Sequence, residues 1–89
     1  MMNRIEFLAT YYGKQHQELK TVEEIEELLY ELYNNMIKGG VSENTPSEIA
    51  DVLIMLYQLI YLYDIGEEVE KEADFKINRQ IDRIKNTKY

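Results

Sequence analysis

The sequence predicts an all-α protein: a compact, four-helix, bundle-like protomer that assembles into a helical dimer or tetramer. Three observations carry this. Apolar residues recur every three or four positions through most of the chain, and the single proline and four glycines fall between those periodic stretches rather than within them. The third is size. With 89 residues the chain forms one domain, residues 1–89, whose core removes only roughly two-thirds of the unfolded surface from water. Apolar stripes left over gain by packing on a second copy, so a homo-oligomer is expected.

The first helix is predicted from about Asn3 to Gln17, with Ile5, Leu8, Ala9 and Tyr12 on one face and Gly13 weakening its end. The second starts near Thr21, read as an N-cap with Glu24 three residues on, and carries Val22, Ile25, Leu29, Leu32 and Met36 as its apolar stripe. Lys38, Gly39 and Gly40 supply a cation in the last turn and a residue free to take positive φ, so it ends there. A polar loop spans Gly39 to Asn44. Thr45, Pro46, Ser47 and Glu48 then read as N-cap, first-turn proline and capping-box glutamate of the third helix. From Ile49 to Tyr63 that helix is apolar almost all round, which places it in the middle of a bundle. Gly66 separates it from a fourth helix, about Glu67 to Lys85, with Val69, Ala73, Ile77, Ile81 and Ile84 at helical spacing and charge running from acidic to basic.

Composition removes several function classes. A net charge of -7 and a sequence pI near 4.6 oppose a sequence-independent grip on DNA or RNA, which needs clustered Lys and Arg. The absence of cysteine excludes disulfides, thiolate metal sites and thiol catalysis. Val52 to Tyr63, the most apolar stretch, is interrupted by Gln58 and falls well short of the ~20 residues that cross a bilayer. No membrane partner is expected. The first residues, MMNRIEFLATYYGKQ, lack the apolar core of a signal peptide, so a cytoplasmic location is expected.

Acids on the most apolar helix are informative, because a charge in a core is costly unless paired or bound to metal. Glu48 and Asp51 lie three apart on one helical face, and their stripe continues through Met55, Gln58 and Leu62. A capping-box role for Glu48 and a helix-dipole role for Asp51 are the alternative explanation. On the second helix Glu23, Glu24, Glu26, Glu27 and Glu31 create several E-x-x-E frames, which a solvated acidic face also explains. Antiparallel packing of the two helices would bring four carboxylates together. Oxygen-only ligands suit magnesium, with manganese as the alternative, and such ions bind phosphate oxygens and promote hydrolysis of phosphate esters or anhydrides.

Lys76, Arg79 and Arg83 share one face of the fourth helix and could receive phosphate charge, with Asn78 beside them positioned for a sugar or base. Complementing the helix dipole explains the same cations. Tyr30, Tyr33, Tyr57, Tyr61 and Tyr63 are expected in core or subunit-interface positions, and His16 as a solvated or capping residue.

The order Glu24-Ile25-Glu26-Glu27-Leu28, then Glu48-Ile49-Ala50-Asp51-Val52-Leu53 after a gap of twenty residues, resembles the paired E-x-x-E and E-x-x-D motifs of the MazG-like all-α nucleoside triphosphate pyrophosphohydrolases. The segment Lys76-Ile77-Asn78-Arg79-Gln80-Ile81-Asp82-Arg83 is similar to the basic helix that follows in short phage-type members, and the resemblance spans about residues 14 to 84. It implies hydrolysis of a nucleoside triphosphate to the monophosphate and pyrophosphate. Glu24, Glu27, Glu48 and Asp51 would hold magnesium and carry catalysis, and Lys76, Asn78, Arg79 and Arg83 would bind substrate. On a helical wheel Glu27 points away from the Val22, Ile25, Leu29 stripe, so Glu23 and Glu26 stand as the alternative first pair. The K-x-x-x-N spacing of larger members is not reproduced. A non-catalytic acidic adaptor, or a degenerate family member, is the competing function.

Overall fold

The structure is a computed structural model and describes residues 2–87. It is all-α, in the order α1 (Met2–Tyr12), α2 (Lys14–Lys38), α3 (Thr45–Tyr63) and α4 (Gly66–Asn86). No helix among the described residues is long and apolar enough to cross a membrane.

The first boundary differs from the expected one. Gly13 takes φ 85°, a conformation that costs a residue with a Cβ, and so breaks the chain into α1 and α2 at a single position. Hydrogen bonds continue across the break, from Gly13 N–H to Ala9 O at 2.9 Å and from Gln17 N–H to Gly13 O at 3.0 Å. Thr21 is then no N-cap. It is buried inside α2 and donates its hydroxyl to Gln17 O at 2.6 Å, a back-bond that satisfies the hydroxyl without ending the helix. At its other end α2 stops as expected: Gly39 is left-handed and its N–H reaches Asn35 O at 2.8 Å.

The 39–44 loop is clasped. Ser42 and Thr45 both donate to the Glu31 carboxylate, Asn35 donates to Thr45 Oγ1 at 2.9 Å, and Ser42 N–H reaches Asn35 Oδ1 at 3.2 Å. Thr45 thus spends its side chain on α2 instead of capping α3, whose cap residue is Asn44 and has no side-chain cap bond. The expected capping box is not formed, which frees the Glu48 side chain for another role.

α3 packs on each of the other three helices and is the centre of the assembly. Its Glu48, Asp51, Met55, Gln58, Leu62 stripe is the inward one, with Met55 and Gln58 buried and the others half-buried. The facing side of α2 is polar: Gln17, Thr21 and Glu24 are buried, and Leu28, Glu31 and Asn35 continue the line. The apolar stripe of α2 points elsewhere, with Val22, Ile25, Leu29, Leu32 and Met36 between 42% and 69% exposed. Periodicity locates an apolar face but does not say which neighbour covers it. Of the expected core tyrosines, Tyr57 is half-buried and Tyr30, Tyr33, Tyr61 and Tyr63 are exposed in the single chain.

Among the described residues α4 touches only α3 and buries none of its residues, leaving Val69, Phe75, Ile77, Ile81 and Ile84 open. The radius of gyration, 16.5 Å, reflects this projection. A chain of this length folded as a sphere would have about 12 Å.

Candidate metal centre

α2 and α3 run antiparallel, so the middle of α2 faces the first turns of α3. Among the described residues this brings carboxylate oxygens of Glu24, Glu27 and Glu48 within 4.8 Å of one another. Asp51 is half-buried one turn further along the same inward face of α3 and lies outside that tight trio. Of the two frames open on α2, Glu24 and Glu27 are the pair that meets Glu48; Glu23 instead lines a cleft toward α1, and Glu26, exposed like Glu27, lines the groove beside Glu27 and Glu48 but lies outside the trio.

The trio is poorly satisfied by the protein itself. Glu24 is only 7% exposed, and its Oε2 and that of Glu48 are both buried without a hydrogen-bond partner among the described residues. Orphaned carboxylate oxygens cost more than most buried polar groups, and three acids this close repel one another. One cation stands nearby: Lys20 Nζ lies 3.2 Å from Glu24 Oε1, and its pKa is raised, first by that hydrogen bond and then by the Glu24 charge. Two orphan oxygens and Glu27 remain unmatched by it. Oxygens sharing one magnesium at about 2.1 Å can lie up to ~4.2 Å apart, so small side-chain rotations bring the trio into range. The donor set, its spacing and its orphaned atoms fit a hard divalent cation.

Electrostatics agree. Burial pushes the Glu48 carboxyl above its ordinary range, and the charges of Glu27, Asp51, Glu24 and Glu31 push it further in the same direction. Glu31, held by the Ser42 and Thr45 hydroxyls, is shifted down despite some burial. For Glu48 the folded protein binds its proton more tightly than the unfolded chain, so its contribution favours folding below the ordinary value of 4.5 and is lost as pH rises through the raised folded value. Metal-free melting temperature is expected to carry this falling component, and Glu48→Gln to remove it. Melts of both proteins across that window check this, and identical pH slopes would show that Glu48 ionises freely.

The fourth helix is placed apart from the acids. Lys76, Asn78, Arg79 and Arg83 are exposed on α4, which has no contact with α2. Lys76 pairs with Glu72 at 3.9 Å, and Arg79 lies 5.5 Å from the Phe75 ring centre. Lys20 is the cation beside the acids, and sequence reading passed over it. Its signal was available: it lies four residues before Glu24, the spacing at which helical neighbours pair.

Comparisons were made with family models, curated proteins and solved structures. None of the three finds a match to this chain.

Proposed function

We propose that the chain is a magnesium-dependent nucleoside triphosphate pyrophosphohydrolase of the MazG-like kind, with Glu24, Glu27, Glu48 and Asp51 as metal ligands. The observation that carries this reading is the pair of buried, unpartnered carboxylate oxygens on Glu24 and Glu48, brought together with Glu27 from two helices. A solvated acidic face would leave such oxygens in water.

A cation held there supplies Lewis-acid polarisation of a phosphate oxygen, with manganese as an alternative to magnesium. Water is the second substrate, and the α–β anhydride bond breaks to leave a monophosphate and pyrophosphate. Glu24, Glu27, Glu48 and Asp51 would hold that cation, and the helical backbone fixes where they point. Because α4 buries nothing and touches only α3, its Lys76, Asn78, Arg79 and Arg83 are assigned to the acids of a second copy in a homodimer or homotetramer. The exposed apolar faces of α2, α3 and α4 supply the surface for that assembly.

Each nucleoside triphosphate should be incubated with magnesium and assayed for pyrophosphate. At least one is expected to release it, and magnesium or manganese is expected to raise the melting temperature saturably. Absence of both effects would overturn the reading in favour of an acidic adaptor that binds a protein partner.

A further inference from the structure

The acid trio already has one cation beside it, and that cation comes from its own helix. Lys20 Nζ lies 3.2 Å from Glu24 Oε1, and the two side chains differ sharply in exposure, 48% for the lysine and 9% for the glutamate. One end of the bridge is held between α2 and α3 while the other is free to swing. Lysine suits such a swing, being a compact point charge on a flexible stem. Placing the lysine four residues before the glutamate gives the weaker of the two orientations on a helix, so helix stability alone is a poor reason for the bridge.

A second carboxylate is open to the same ammonium. Glu23 lies three residues after Lys20, a spacing at which helical neighbours also meet. Lys20 and Glu23 both line the cleft between α1, α2 and α3, which none of the trio lines. Glu23 is exposed and forms no ion pair among the described residues. Its charge already acts on Lys20, whose pKa is raised first by the Glu24 hydrogen bond and the Glu24 charge, and more weakly by Glu23 and Glu27. Lys20 therefore has one acid inside the trio and another outside it.

We propose that Lys20 is a stand-in cation that regulates the metal site: it neutralises Glu24 in the absence of a divalent cation and passes to Glu23 when one binds. The inference rests on the metal part of the reading above and deepens it. Charge requires the move. Carboxylate oxygens bind magnesium at about 2.1 Å, so an ammonium still bonded to Glu24 would lie within a few ångströms of the ion, where burial leaves their repulsion poorly screened. The affinity of the site is then a difference between two cations competing for Glu24, lower than the carboxylates alone would give. Glu23, the acid outside the trio, receives the lysine and limits that loss.

The test titrates the full chain with magnesium alone, without nucleotide, by calorimetry. Lys20→Met keeps most of the stem without the charge and is expected to bind magnesium about tenfold tighter than the native chain. Lys20→Arg keeps the charge and is expected to bind no tighter than the native chain. Lys38→Met removes the same charge from the far end of α2, beyond the range of screened interactions, and is expected to leave the affinity within about twofold. Glu23→Gln is expected to weaken binding several times more in the native background than in the Lys20→Met background, since only interacting residues depart from additivity. Unchanged or weaker binding by Lys20→Met, or an equal gain in Lys38→Met, would overturn the proposal and leave the metal reading standing. An equal effect of Glu23→Gln in both backgrounds would overturn the transfer to Glu23. Magnesium bound by Lys20→Met but not by the native chain would support the stand-in role and overturn the native chain as a magnesium enzyme. Binding by neither would overturn both.

Discussion

Glu48→Gln and Asp51→Asn are each expected to lower magnesium-dependent pyrophosphate release by at least about a hundredfold, since a ligand to a catalytic cation supports several kcal/mol of charge stabilisation. Stability should move the other way. Glu48 keeps one oxygen buried without a partner, next to the equally unpartnered oxygen of Glu24. A glutamine there removes one of the repelling charges and can donate its amide to the neighbouring carboxylate, so the metal-free protein should melt higher. The magnesium-induced rise in melting temperature should shrink in the same variants. Lost turnover accompanied by lost stability would mean that the acids are structural, and retained turnover would remove the substituted residue from the site.

That expectation was partly legible before the structure. Glu48 and Asp51 stood out because they lie on the most apolar helix, where a charge needs a reason, and both do face inward. The choice between Glu24/Glu27 and Glu23/Glu26 was not legible. It depends on the rotation of α2, and the apolar stripe is a misleading guide to that rotation because it faces away from α3. Gln17, Thr21 and Glu24 face α3 instead, and a polar interior leaves no signal in hydrophobic periodicity. The start of α2 was missed for a related reason. Thr21 has the residue type of an N-cap, and only its buried back-bond to Gln17 distinguishes the two roles.

The outward stripe gives the second large expected effect. Leu29→Asp should convert the assembly to monomers, with two copies of the lesion at a symmetric contact weakening association by about 3 kcal/mol or more, roughly a hundredfold. Leu29 is half exposed in the single chain, so half of its surface is open to a second copy while the rest packs within the protomer. Sedimentation of the native chain and the variant at matched micromolar concentration, with circular dichroism to confirm the fold, reads this directly. A native chain that sediments as a monomer would end the proposal that α4 serves a neighbouring copy.

The acids lie between two sets of hydrogen bonds that tie α2 to α3. At one end Gln17 is bonded to Gln58, and at the other Glu31 and Asn35 hold Ser42 and Thr45. An apolar seam would let the helices slide by a fraction of a turn at little cost, whereas slippage here breaks bonds at both ends at once. The separation of Glu24 and Glu27 from Glu48 is consequently set by the frame and resists their mutual repulsion. Folding the chain brings the three carboxylates together without a cation, so the work of crowding like charges is done in advance and would not have to be supplied by binding at the proposed site.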